Sequence, residues 1–229
     1  MILKRKSVNP LISKPVISLF GFYFRVFKPN FLFNGNRYVY YAERKDLITH
    51  RNCRAVELPL GIDFIGFYLN KNVLEIGNVL GNYTNLLPFD YTVVDKYEKA
   101  IGVINVDIID FFPIEKFDAI VSISTIEHFG IDEEDKEPQK VIKAIKHIQK
   151  NLLSPSGSFF ATAPVGHNKV LDEWIESGDT PFRKIGFLKR VSEFGFWRES
   201  NLGEAKGAQT DFPYSHGNVI YVLEDFKNE

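Results

Sequence analysis

The sequence predicts an α/β protein built on an open, mostly parallel sheet with helices on both faces. Three observations carry that expectation. Downstream of Lys71, short apolar runs alternate with polar or amphipathic segments, the rhythm of strand and crossover helix. The first run ends in VLEIGNVLGNY (Val73 to Tyr83), where a carboxylate is followed by two glycines four residues apart. Near the C-terminus the rhythm breaks, and FGFWRES and NVIYVLEDF read as two strands joined by a long polar loop, the last of them antiparallel.

Size and composition frame the rest. With 229 residues the chain is long enough for one domain carrying a modest extension. Hydrophobic residues make up 45% and charged residues 25%, ordinary values for a globular protein. The 28 basic and 29 acidic residues nearly cancel, which argues against nucleic acid as a partner. Cys53 is the only cysteine, so neither an internal disulfide nor a cysteine metal cage is possible.

Along the chain, Lys4, Arg5 and Lys6 precede an apolar stretch that Pro10, Lys14 and Pro15 interrupt, with no small-residue cleavage site after it. Val16 to Phe27 is too short, and broken by Arg25, to span a bilayer. A cytoplasmic protein is expected, with peripheral membrane contact through this aromatic segment as the alternative. FLFNGNRYVYY (Phe31 to Tyr41) alternates around Asn34-Gly35, a strong hairpin signal, because both residues tolerate positive φ. From Ala42 to Asn70 the pattern turns helical, blurred by Pro59 and Gly61. Residues 1–70 are thus expected as an N-terminal extension of hairpin and helix, a cover for an acceptor site, with the main domain over 71–229.

Buried strands are expected at 72–77, 91–95, 102–107, 117–124 and 157–165. Between the last two, PQKVIKAIKHIQKNLL (138–153) predicts an amphipathic helix. Val141, Ile145, Ile148 and Leu152 share one face; Lys140, Lys143, Lys146 and Lys150 lie mostly on the other, and Pro138 fits the start.

In such sheets ligands sit beyond the carboxyl ends of the strands. Asp95 ends the second predicted strand, 18 residues after Gly77, close to the roughly 20 expected of an acid that holds ribose hydroxyls. Two ligands suit this arrangement. A nicotinamide dinucleotide asks for G-x-G-x-x-G, whereas this chain offers G-x-x-x-G and adds Glu75. A carboxylate repels a pyrophosphate and suits a cation, which tilts the choice toward S-adenosylmethionine (SAM).

The ordered set VLEIGNVLGNY, VVDKYE, GVINVDIIDF, FDAIVSISTIEHFG and LLSPSGSFFATAPVGHN resembles class I SAM-dependent methyltransferases. More narrowly it is similar to methyltransferase-like proteins of prokaryotes associated with surface-polysaccharide or glycan genes. The resemblance spans roughly residues 30–225 and includes RAVELPL upstream. It implies a Rossmann-like fold with a mostly parallel seven-stranded sheet, an antiparallel last strand, and SAM as cofactor. By the same resemblance Glu75, Gly77, Asn78 and Gly81 hold the methionine end, while Asp95 and Lys96 follow the ribose and adenine. Asp107 and Ile108 meet the adenine amino group and ring, and Ser124 and Thr125 lie beneath the sulfonium. Val79 stands where the family has a middle glycine.

For the chemistry, methyl transfer depends much on positioning, and a hydroxyl acceptor also needs a base tuned near neutrality. His128, past the fourth strand of the main domain, is the candidate base, with Glu127 beside it and His167 after the next strand. Asn168, Asp172 and His216 are further polar candidates, whereas Trp174 is expected in the core. His50 and His147 are expected to be structural, and DEEDKE (132–137) a solvated loop or lid. Some quinone-type methyltransferases hold a metal with Glu-x-x-Glu-His; the run here, Ser124 to His128, lacks the first carboxylate, so no metal is expected. The acceptor is expected to be a small molecule or a glycan. A non-catalytic binding protein on this fold and a nicotinamide-dependent oxidoreductase are the alternatives. An Asn/Asp-Pro-Pro-aromatic run, as in amino-methylating nucleic-acid enzymes, is absent after the fourth strand, where SIST stands.

Overall fold

A computed structural model describes residues 14–42, 51–83 and 90–227. The basic start at Lys4 to Lys6, and His50, lie outside the described residues. Helix α1 (Lys14–Phe27) leads into the hairpin β1 (Asn30–Phe33) and β2 (Asn36–Val39). Asn34 and Gly35 form the expected turn at φ 48° and 77°. Helix α2 follows at Arg54–Gly66.

The main sheet comprises β3 (Val73–Ile76), β4 (Thr92–Val94), β5 (Val103–Ile104), β6 (Phe117–Ile123), β7 (Leu153–Pro164), β8 (Phe182–Arg190), β9 (Trp197–Ser200) and β10 (Val219–Phe226). Their spatial order is β5-β4-β3-β6-β7-β10-β8-β9. The five strands from β5 to β7 are parallel, while β10 runs antiparallel to both β7 and β8. The expected architecture is present, a Rossmann-like sheet with an antiparallel last strand. It has eight strands rather than seven, because β9 adds an edge antiparallel to β8. FGFWRES and NVIYVLEDF are strands at their ends but not neighbours: β8 lies between them. That strand escapes a reading by apolar runs because FRKIGFLKR is charge-rich. Its charges are matched across the ladder, with Lys184 Nζ 3.2 Å from Glu224 Oε2 and Arg183 paired to Asp225.

Alternate residues of each strand serve opposite faces. Leu74, Ile120, Phe159 and Tyr221 pack under α4 (Lys140–His147) and α5 (Lys169–Ser177). Val73, Val121, Phe160 and Val222 pack under α2, whose Ala55, Val56, Leu58 and Ile65 are buried there with Phe31 and Phe33 of the hairpin. Pro138 precedes rather than starts α4, which is capped at Gln139 and continues as a π turn over Ile148–Leu152. Lys140 departs from its expected solvent face: it is 5% exposed. It stands in the first turn, where the helix end faces carboxylates, so an ion pair outweighs the amphipathic pattern.

The extension shares the core. Tyr40 Oη donates to the Trp197 carbonyl at 3.1 Å and accepts from its N–H at 2.8 Å. Phe33 lies on Gly186 of β8 so closely that a Cβ there would meet its ring at 2.4 Å. Outward, α1 exposes Leu19, Phe22, Tyr23, Val26 and Phe27. Among the described residues no helix is long and apolar enough to cross a membrane.

Phe33→Ala opens a hole above Gly186 that no side chain can fill. The expected cost is about 3–5 kcal/mol, read from the shift in a urea midpoint. A loss under about 1 kcal/mol would show that the hairpin contributes little to the cooperative fold.

Candidate functional site

Beyond the carboxyl ends of β3, β4 and β6 lies a cavity of about 480 Å³, a volume suited to a small molecule. Its apolar walls include Ile76, Val94, Val106, Ile108 and Phe129, and its polar walls include Asp95, Lys96, Asp107, Ser124, Thr125, His128, Asp132 and Glu133. Six of the residues singled out for the cofactor therefore come together at one cavity, together with His128.

The remaining four, Glu75, Gly77, Asn78 and Gly81, build the loop beside it without lining it. Gly77 sits at φ 85°, and a Cβ on it would lie 2.2 Å from Thr125 Oγ1, so only glycine lets the ends of β3 and β6 meet. At Gly81 a Cβ would lie 2.5 Å from Asn78 Oδ1; the glycine admits the Asn78 side chain, whose Nδ2 donates to Glu98 at 2.7 Å. Glu75 is fully buried, and its Oε1 accepts from the Leu80 N–H at 2.6 Å, fastening the short helix α3 (Val79–Tyr83). Burial pushes its carboxyl up to about 7, against the pull of backbone N–H groups.

Asp95, at the end of β4, uses Oδ1 to accept from the N–H groups of Tyr97 and Glu98 at 2.8 and 2.7 Å. Asp107 is engaged: its Oδ2 takes Lys140 and, at 2.9 Å, Lys96. Against the upward push of burial, these lysines hold its carboxyl below the ordinary range. Glu133 completes the network, accepting from Lys140 at 2.6 and 2.7 Å and from Lys96. Part of the DEEDKE run is thus drawn into the site rather than left solvated.

At the far end of the cavity acids and histidines gather. Ser124 is held at φ 40°, a strained angle for a side-chain-bearing residue, and its Oγ donates to Glu57 Oε1 at 2.5 Å. Glu57, fully buried on α2, also takes Arg54 Nη1 at 2.6 Å. Glu127 is 1% exposed, and among the described residues its Oε2 has no hydrogen-bond partner. Burial, reinforced by the nearby Glu57 charge, raises its carboxyl well above the ordinary value. His128 directs Nδ1 to Asp132 Oδ2 at 2.5 Å and Nε2 toward Glu127 Oε1 at 3.6 Å. His167 Nε2 reaches the same Asp132 oxygen at 3.1 Å. His128, foremost, and then burial's opposing push and His167 leave the Asp132 carboxyl below its usual range.

Asn168 ties this corner together, capping α5 through Leu171 N–H at 3.1 Å and donating to the Glu127 carbonyl at 3.1 Å. Asp172 fixes the turn before it, accepting from Gly166 N–H and Tyr221 Oη. Trp174 packs near Phe182, and His147 bonds the Phe111 carbonyl, both as expected. His216 lies in an exposed loop and does not line the cavity. Sequence reading missed Glu57, Asp132, Glu133 and Lys140. A lone acid within the apolar RAVELPL run was the signal for the first; the others lie in charge-rich segments that look alike in sequence.

No protein-family model and no curated protein matches the chain. Among solved structures it is similar to the N-methyltransferase NodS from Bradyrhizobium japonicum WM9, at 17% identity and TM-score 0.44 over 74% of this chain and 86% of that one. An rRNA methylase from Streptococcus thermophilus gives 12% and 0.45 over 75% and 97%, and the PH0226 protein from Pyrococcus horikoshii OT3 gives 17% and 0.42 over 78% and 93%. Similarity at this level transfers neither substrate nor residue roles.

The raised Glu75 carboxyl has a consequence for stability. With a folded value of about 7 against an ordinary 4.5, the folded chain keeps a proton that the unfolded chain has released. Stability from this group is therefore greatest at low pH and falls as pH rises through that window. Across it, wild type is expected to lose on the order of 3 kcal/mol more than Glu75→Gln, measured by urea unfolding at each pH. Parallel profiles for the two proteins would show that Glu75 is ionised in the fold.

Proposed function

We propose that the chain is a SAM-dependent methyltransferase acting on a small polar acceptor, with a sugar or glycan hydroxyl as the methylated group. The observation that carries this reading is Asp95, a carboxylate at the end of β4 that lines the cavity beside Ile76, Val94 and Val106 and, among the described residues, engages only Oδ1 in side-chain hydrogen bonds. The residues present fit the cofactor. Asp95 would take the ribose hydroxyls, Val106, Ile108 and Phe129 would flank the adenine, and Ser124 and Thr125 would border the methionine end. Asp107 would meet the adenine amino group only where Lys96 moves off it, and Lys96 keeps Glu133 as a partner.

A dinucleotide is a poorer fit. Its pyrophosphate needs a helix N-terminus with an effective dipole, and α3 has five residues with a buried carboxylate beneath its start. The glycan acceptor rests on the sequence resemblance alone. When bound, SAM would supply an electrophilic methyl carbon, with its sulfur taking the electrons of the carbon–sulfur bond. The acceptor oxygen's proton would pass to His128 or His167, with Glu127 beside His128 to orient its ring. The N-terminal extension serves this site through Glu57, which steadies Ser124.

Calorimetry with SAM, its demethylated product and NAD tests the proposal. Binding of the first two and none of NAD is expected. Asp95→Ala should weaken SAM binding about 10- to 100-fold through the loss of charged hydrogen bonds. Asp95→Asn, which keeps an oxygen for the turn, should also weaken it. NAD binding without SAM binding would overturn the reading.

A further inference from the structure

We infer that His128, Asp132 and His167 form a binding site for a divalent transition-metal ion at the end of the cavity. One donor atom from each lies within 4.8 Å of the others. The two rings meet edge to face, with centroids 4.6 Å apart at 67°, so they converge on the carboxylate instead of stacking. An ion bound at about 2.0–2.2 Å asks its donors to stand about 3 Å apart. The His167–Asp132 pair, at 3.1 Å, already does so. The His128–Asp132 pair, at 2.5 Å, needs to open by about half an ångström, within reach of the exposed Asp132 side chain.

A second, independent observation supports the site. Imidazoles that ligate a metal through one nitrogen generally direct the other to a carboxylate, which fixes the ring and its tautomer. His128 approaches that arrangement: Nδ1 faces Asp132, and Nε2 lies 3.6 Å from Glu127 Oε1, a contact that must shorten by about half an ångström to become a hydrogen bond. Glu127 itself is buried, and among the described residues its Oε2 has no hydrogen-bond partner, a condition that a nearby cation would ease. Asn168 holds the Glu127 carbonyl and follows His167 directly, so the two ligand segments are tied by a hydrogen bond.

Donor chemistry defines the ion. Two imidazole nitrogens and one carboxylate suit zinc, manganese, iron or cobalt in the divalent state, and not magnesium or calcium, which ask for oxygen shells. Three protein ligands leave positions open for another molecule. The sequence-based expectation of no metal considered only the run from Ser124 to His128; Asp132 and His167 supply what that run lacks. Because His128 and Asp132 line the cavity, the open positions would face an acceptor oxygen and favour its ionised form. That role alone rests on the methyl-transfer reading, and there the metal would replace His128 and His167 as the group that eases loss of the acceptor's proton.

The full-length chain, stripped with a chelator, is titrated with Co²⁺ as a spectroscopic probe. One equivalent is expected to bind with visible ligand-field bands and to be displaced by Zn²⁺. His128→Ala, Asp132→Asn and His167→Ala should each lower Co²⁺ affinity by more than tenfold, with circular dichroism unchanged. Glu127→Gln should lower it about 10- to 100-fold through the outer carboxylate, and His216→Ala should leave it unaltered. No stoichiometric Co²⁺ in folded wild type, or equal affinity in His167→Ala, overturns the inference. SAM titration of the same samples separates the two readings. SAM binding without metal defeats only this one, and metal binding without SAM defeats only the proposed activity.

Discussion

The close approach of Gly77 to Thr125 is the contact on which the site depends. Gly77 donates to the Val94 carbonyl at 2.8 Å, so one residue fixes the ends of β3, β4 and β6 relative to each other. Thr125 can press on its Cα only because no side chain intervenes. Those three strand ends are the floor of the cavity. Ser124, one residue away, is bent into a strained angle and held there by Glu57 from another helix, so the strain is balanced from outside the strand.

Electrostatics then divides the cavity into two ends. At one, Lys96 and Lys140 are shared between Asp107 and Glu133, a network in which each charge has an opposite partner. At the other, Glu57, Glu127 and Asp132 gather with two histidines, and Arg54 is paired with Glu57. Burying acids without matching cations is unfavourable unless something else compensates. The contrast leaves the first end charge-balanced and the second with two buried acids, Glu57 and Glu127, beside one paired cation.

The fold was largely legible because parallel strands buried on both faces must be apolar, and VLEI, TVV and FDAIVSI announce themselves that way. β8 was not, since four of its nine residues are charged and their partners, Asp225, Glu224, Glu204 and loop carbonyls for Arg190, lie far off in sequence or outside the strand. The glycine-centred loop was legible as a motif, but the duty of each glycine was not: one admits Thr125, the other Asn78. Asp132, Glu133 and Lys140 stayed hidden because a charged side chain looks the same in sequence whether it meets water or a buried partner. Their roles depend on distances between segments up to 37 positions apart, as between Lys96 and Glu133.

The bond between Tyr40 and Trp197 joins residues 157 positions apart. A ribosome adding about 5–20 residues per second needs roughly ten to thirty seconds to cover that interval. For most of it, Phe24, Phe31, Phe33 and Tyr40 await Trp197 and the C-terminal strands that pack beside them. The aromatic segment around Phe24 to Tyr40 is thus made well before its partner on β9, and it stays exposed until β9 is complete.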